Sequence, residues 1–285
     1  MPVIAVINRK GGSGKSTLAT HLAAYCATHG MPVMLGDVDR QQSTRTWLRR
    51  RERRQALQGL PIVSWAIDPK NVLRPPAGIS RVILDTPGGL RGFELARVVM
   101  SADAILMPVC NSAFDRESAA ECYAELMRLP RVASGRCKVA AVGMRLDART
   151  KAGEVMQAWA DENKLPFIGV LRETQAYVRC VEQGLTLFDL PTAQVQGDML
   201  QWKPILEWLA PVLNPAEPAA AVEPPRPSAK PARPVPAASA RPQLQAFERP
   251  GTAPSLGRLL GWLPKLPFLQ RKSKAKSKTF AASAL

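Results

Sequence analysis

One octapeptide restricts this chain more than anything else in it. Lys10-Gly11-Gly12-Ser13-Gly14-Lys15-Ser16-Thr17 follows an apolar, β-branched run at residues 3–7. It opens a stretch of helical spacing at residues 16–29, with Leu18, Leu22 and Tyr25 on one side. A glycine-rich turn between a strand and a helix lets backbone N–H groups converge on anionic oxygens. The positive end of the following helix points at the same place. The pattern predicts a phosphate loop in which Gly11, Gly12, Ser13, Gly14 and Thr17 form the cradle. Lys15 is then expected to reach the β- and γ-phosphates of a nucleotide, and Ser16 to ligate Mg²⁺. A bare glycine turn capping a helix is the other reading. The general pattern asks for glycine five residues before Gly14, and Arg9 stands there.

The rest of the first 210 residues alternates in the same way. Residues 32–38, 62–66, 81–84, 104–109, 139–144 and 167–170 read as strands. Residues 44–57, 116–129, 153–162, 175–183 and 198–209 read as helices. The strand runs are continuously apolar, as in strands covered on both faces. Alternation with helices implies right-handed crossovers. The expected fold is α/β, a mostly parallel, doubly wound P-loop sheet flanked by helices, with ligands at the carboxyl ends of the strands.

Charge and proline are unevenly spread. The 285 residues carry a formal net charge of +16, and 46% are apolar. That supports a sizeable core and points to an anionic partner. From Pro211 onward there are 12 Lys or Arg against 3 Asp or Glu, with 14 of the 26 prolines. Such a segment lacks the apolar density to offset its ordering entropy. The expected organisation is a folded domain at 1–212, a Pro/Ala-rich disordered linker at 213–253, and a short amphipathic segment with a basic tail at 254–285. No run of 18 apolar residues is present, and the first residues lack the order of a signal peptide. Five scattered cysteines fit a reducing cytoplasm better than a disulfide or zinc framework.

The loop Lys-Gly-Gly-x-Gly-Lys-Ser resembles the deviant Walker A motif of the ParA/MinD ATPases. Two further segments resemble that family. Asp37-Val38-Asp39-Arg40-Gln41 is similar to its Asp-x-Asp-Pro-Gln switch I, with Arg40 in place of proline. Val82-Ile83-Leu84-Asp85 is similar to Walker B, and Thr86-Pro87-Gly88 to switch II. The resemblance implies an ATP hydrolase that dimerises around ATP and Mg²⁺. It implies that Lys10 crosses to the partner's phosphates, that Asp39 positions the attacking water near the metal, and that Asp85 holds Mg²⁺. A cation supplied across an interface suits phosphoryl transfer, as an arginine finger does.

The resemblance extends to about residue 210. Pro108–Asp115 looks like the loop after the fifth strand, and Leu171-Arg172-Glu173 falls where a segment near the base is expected. Asp147-Ala148-Arg149-Thr150 resembles the Asp-x-Arg-Thr segment of chromosome-segregating members. That implies non-specific DNA contact by Arg149, which Arg145, Lys151 and Arg179 could join; a solvated surface is the other reading. The chain opens almost on the loop, so no helix-turn-helix is expected. The implied function is segregation of DNA or positioning of a cargo, with a stimulating adaptor and a nucleoid-associated location.

Three features stay open. Arg45, Arg49, Arg50, Arg51, Arg53 and Arg54 follow switch I, with Trp47, Leu48 and Leu57 as a buried side. They read either as a surface for DNA or an acidic partner, or as a solvated helix face. Leu256, Leu259, Leu260 and Leu263 form a helical stripe before Arg271–Lys278, interrupted by Gly257, Gly261, Pro264 and Pro267. It resembles the membrane-binding tail of MinD-type members, and the alternative function is a membrane-cycling regulator. Docking on a cargo adaptor, a basic tail on DNA, or no specific role are the other readings. A P-loop amidoligase is a third function class, lacking an identifiable substrate pocket. His21 and His29 read as ordinary side chains on the first helix, and Cys110 and Cys137 as thiols rather than ligands of an iron–sulfur cluster.

Overall fold

The computed structural model describes residues 1–38, 42–54, 57, 59–66, 75–147 and 150–215. The chain divides into two compact units, Met1–Glu223 and Pro224–Leu285. The whole of the second lies outside the described residues, as do the linker and tail expectations from residue 216 on.

Seven strands form one sheet. They are β1 (Val3–Val6), β2 (Val33–Asp37), β3 (Val63–Ala66), β4 (Arg81–Asp85), β5 (Ala104–Val109), β6 (Lys138–Leu146) and β7 (Phe167–Arg172). Their order is β3-β2-β4-β1-β5-β6-β7, and every pairing is parallel. The helices are α1 (Lys15–Thr28), α2 (Ser43–Glu52), α3 (Gly92–Ser101), α4 (Ala113–Met127), α5 (Pro130–Ala133), α6 (Ala152–Glu162), α7 (Gln175–Glu182) and α8 (Thr192–Leu213). A 3₁₀ turn spans Leu187–Asp189.

Period-2 geometry sorts the apolar side chains onto two faces. Val3 and Ala5 of β1 join one core with Leu95 and Val99 of α3, Leu126 of α4 and Met156 of α6. Ile4 and Val6 join the other with Leu18 and Leu22 of α1, Trp47 of α2 and Trp202 of α8. Because both faces are covered, the strands read as unbroken apolar runs. β1 lies at the centre, paired with β4 on one side and β5 on the other. The strand order reverses there, and a ligand crevice opens at such a point.

The structure departs from expectation in several elements. The sequence reading names no helix at α3 or α5. α2 ends at Glu52 rather than 57. α8 leaves helical geometry at Val195 (φ −128°) and then runs through Pro204 and Pro211. It approaches β7 closely at Gly169, where an added Cβ would lie 3.1 Å from Ile205 Cγ1. Burial against that strand stabilises a helix whose prolines each forgo an internal hydrogen bond.

Candidate functional site

The glycine loop turns where its sequence demands. Gly12 (φ +74°) and Gly14 (φ +97°) occupy left-handed conformations that L side chains resist. A Cβ on Gly14 would also strike the Met144 side chain at 2.7 Å. Gly11 and Gly12 face open space. The loop is braced from below by Asn8, which is buried. Its Nδ2 donates to the Pro108 carbonyl at 2.6 Å, and its Oδ1 accepts from the Lys10 N–H at 3.2 Å.

The floor of the site combines three predicted residues. Lys15 is 7% exposed, and its Nζ donates to the Lys10 carbonyl at 2.9 Å, across the mouth of the turn. The Ser16 hydroxyl donates to Asp85 Oδ2 at 2.7 Å. The end of β4 thus meets the start of α1, as the Mg²⁺ assignment of Ser16 and Asp85 requires. Ser13 Oγ is buried with no hydrogen-bond partner. A buried hydroxyl without a partner costs about 1–3 kcal/mol, and a phosphate oxygen would satisfy it. Hard oxygen donors at the end of a phosphate loop suit Mg²⁺ bound together with a nucleotide phosphate. The residues fit a Mg²⁺-nucleotide.

Switch II presses on the loop from the side. Thr86 Oγ1 donates to the Val6 carbonyl at 2.7 Å, and Gly89 N–H to the Arg9 carbonyl at 2.6 Å. A Cβ on Gly88 would sit 3.4 Å from the Gly11 nitrogen and the Arg9 carbonyl. Pro87 lies between these two bonds. Arg9 itself, the residue that breaks the general pattern, pairs with Glu121 at 3.2 Å and with Glu125 of α4. Glu125 also accepts from the Gly92 N–H at 2.7 Å. The start of the loop, the first residue of α3 and α4 therefore meet at one carboxylate, Glu125.

Lys10 lies at the rim. Its Nζ pairs with Asp115 of α4 at 2.8 Å and sits 6.0 Å from the centre of the Phe114 ring. Phe114 is 75% exposed. Burial raises the Asp115 pKa, but hydrogen bonds from Lys10 and Ser112 outweigh it and hold the carboxyl below its ordinary value. Asp115 lies in the quoted Pro108–Asp115 segment, yet nothing in the sequence pairs it with Lys10.

Asp39 lies outside the described residues, as does Arg149. Asp37, at the end of β2, accepts from the Thr44 hydroxyl at 2.6 Å, which ties β2 to the start of α2. Arg145, with φ +55°, lines a cleft of about 450 Å³ together with Gly14, Thr17, Leu171, Arg172 and Glu173. That places it in a cleft beside the phosphate loop. The expected base-side segment is brought to the same cleft, and Arg172 there is held by Asp198 at 2.6 Å. Lys151 stands exposed at the start of α6, and Arg179 exposed on α7.

His21 is more than an ordinary helix side chain. It is wholly buried, its ring stacked on Trp202 with centroids 5.5 Å apart. Its Nε2 accepts from the Leu187 N–H at 3.3 Å, so Nδ1 carries the proton and donates to the Thr17 carbonyl at 2.8 Å. Burial, partly offset by the Thr17 bond, lowers its pKa from 6.5 to about 4. Cys26, Cys122, Cys137 and Cys180 are buried free thiols and Cys110 is half-buried. Burial pushes Cys137 up to about 12.

Comparison with known proteins identifies the family. A family model described as the CobQ/CobB/MinD/ParA nucleotide binding domain matches residues 4–187. The maintenance of carboxysome distribution protein A of Gloeobacter kilaueensis is 33% identical over 190 residues, 65% of this chain and 83% of that protein. Protein ParA of Rhizobium radiobacter is 31% identical over 115 residues, 40% of this chain and 51% of its own length. Among solved structures, a Cyanothece McdA–ATP complex superposes with a TM-score of 0.55 at 15% identity, covering 76% of this chain and 98% of that one. The MinC:MinD complex of Aquifex aeolicus gives 0.54 at 18%, covering 76% and 98%; at these identities the likeness concerns the fold. With its modified phosphate loop and a family match across most of the folded unit, the chain belongs to the CobQ/CobB/MinD/ParA family, whose ParA and MinD members are P-loop ATPases.

Proposed function

We propose that this chain is a ParA-type positioning ATPase. Two copies join around bound ATP, the joined pair holds DNA without sequence preference, and hydrolysis stimulated by an adaptor protein releases it. DNA or another cellular cargo is carried by that cycle. The observation that carries this reading is the split between the two loop lysines: Lys15 is buried in its own cradle, whereas Lys10 stands at the rim beside an exposed phenylalanine. Similarity to a carboxysome distribution protein and to a ParA protein supports positioning as the outcome.

Each residue has a part. Lys15 and the loop N–H groups would hold the phosphates. Ser16 and Asp85 would hold Mg²⁺, which neutralises phosphate charge when bound. Lys10 would supply the second cation across the interface, and Asp39 would orient the attacking water. The test is retention of the full chain on random-sequence duplex DNA at moderate salt, with ATP and with ADP. Binding with ATP and release with ADP is expected. In Asp39→Ala, ATP dimers should form and persist without turnover; normal turnover there would sink the role given to Asp39.

A further inference from the structure

We infer that the solvent face of α2 is a second DNA-binding element, contacting duplex phosphates through Arg45, Arg49 and Arg53, flanked by Arg50 and Arg54. This rests on the proposed carriage of DNA and names a surface for it apart from Arg145, Arg149, Lys151 and Arg179.

The six arginines between residues 45 and 54 do not share one role. Arg51 is buried and forks onto Asp189, with both bonds at 2.7 Å. Trp47 Nε1 donates to the Leu185 carbonyl at 3.1 Å, and Arg54 Nε to the Gln183 carbonyl at 3.0 Å. These bonds clamp α2 to the segment after α7. The clamp turns Arg45, Arg49, Arg50 and Arg53 outward, and these four are exposed, as is Arg54. Among the described residues no carboxylate pairs with any of the five. Glu52 is the one acid between residues 43 and 54.

Geometry selects the partner. Arg45, Arg49 and Arg53 recur every four residues, along one line of about 12 Å at a rise of about 1.5 Å per residue. Duplex DNA presents a charge every ~1.7 Å of axis, so such a row meets phosphates in any register. Guanidinium groups fit phosphate bidentately. An anionic bilayer would call for apolar side chains beside the cations, yet the large apolar residues of α2, Trp47 and Leu48, are each 2% exposed. An acidic polypeptide is the competing occupant. A groove beside Arg45, Arg49 and Trp65 offers it a place, but the row extends past that groove to Arg53.

The face is also tied to the nucleotide side. Asp37 Oδ2 accepts from the Thr44 hydroxyl at 2.6 Å and from the Arg45 N–H at 3.3 Å. The first arginine of the row is therefore anchored at the strand end from which the switch I segment departs.

The experiment is fluorescence anisotropy of a random-sequence duplex with the full chain, ATP and Mg²⁺, across a salt series. Replacing Arg45, Arg49 and Arg53 by Gln together should weaken binding at least about tenfold. It should also reduce the slope of log affinity against log salt by about 2.7, near 0.9 per lost phosphate contact. The variant should melt with the wild type, because all three side chains are exposed. If the wild type binds and this variant binds equally, while Lys151→Gln with Arg179→Gln does not, the α2 assignment falls and DNA carriage stands. If the wild type fails to bind duplex in ATP, DNA carriage itself falls and takes α2 with it. Binding of poly-glutamate but not duplex through the same arginines would overturn the proposal in favour of an acidic protein.

Discussion

Lys10 and Lys15 lie five positions apart in the chain, and they occupy opposite kinds of ground. The floor of the site, Lys15 with Ser16 and Asp85, is completed inside one chain by bonds of 2.7–2.9 Å. The rim is unfinished. Lys10 retains 39% of its side-chain exposure, and Phe114 beside it is 75% exposed. A floor closed within the chain supports nucleotide binding by a single copy. A rim of one cation and an exposed aromatic ring is the kind of surface that a second protein surface completes.

The sharpest break in that contrast is a pair of variants read on two axes. Lys10→Ala should lower partner-stimulated turnover by about 10³-fold, the scale of a cation supplied in trans, while ATP affinity changes little. Lys15→Ala should instead lower ATP affinity about a hundredfold, near 3 kcal/mol for losing a buried charge contact. Equilibrium binding of a fluorescent ATP analogue and phosphate release separate the two. Equal losses of affinity in both variants would erase the distinction between floor and rim.

Much of the floor was legible before the structure. The order strand, glycines, Lys15, Ser16 needs only local sequence, and buried parallel strands such as β1 and β5 declare themselves as unbroken apolar runs. The pairings at the rim were not legible, because the partners are distant: Lys10 meets Asp115 and Arg9 meets Glu125 only once the sheet is built. Arg51 shows the limit plainly. It lies in a run that reads as one cationic face, yet folding buries it and turns its neighbours outward. In α3 the core contacts are Leu95, Val98 and Val99 alone, too few to announce a helix, and the prolines of α8 concealed one that tertiary packing restores.

The floor extends into the core through His21, which gives a pH test. Its folded pKa, about 4, lies below the unfolded 6.5 because burial penalises the charged ring. The unfolded chain therefore binds the extra proton first. The contribution is intact above about pH 6.5 and is lost as pH falls toward 4. The full loss is about 3 kcal/mol at 1.36 per unit. Urea unfolding at neutral pH and near pH 4.5 should show a steeper loss in the wild type than in His21→Phe. Parallel losses in both proteins would mean that the ring protonates in the fold without cost, and that the Thr17 carbonyl is not held by a neutral histidine.

The smallest effect belongs to the rim's own carboxylate. Asp115 holds Lys10 within its own chain, and the lysine end of the pair is open to solvent, so it is worth about 0.5–1 kcal/mol. That is enough to tilt an association without abolishing it. If Lys10 must leave Asp115 to reach a partner's nucleotide, Asp115→Asn should tighten ATP-dependent self-association about threefold. Asparagine keeps an acceptor for the Ser112 hydroxyl while removing the charge that detains the lysine. Sedimentation with ATP and Asp39→Ala as the background, so that hydrolysis does not intervene, reads the shift directly. A weaker association would mean that the carboxylate travels with Lys10 into the interface and braces it there, so that the rim would already be arranged for its partner.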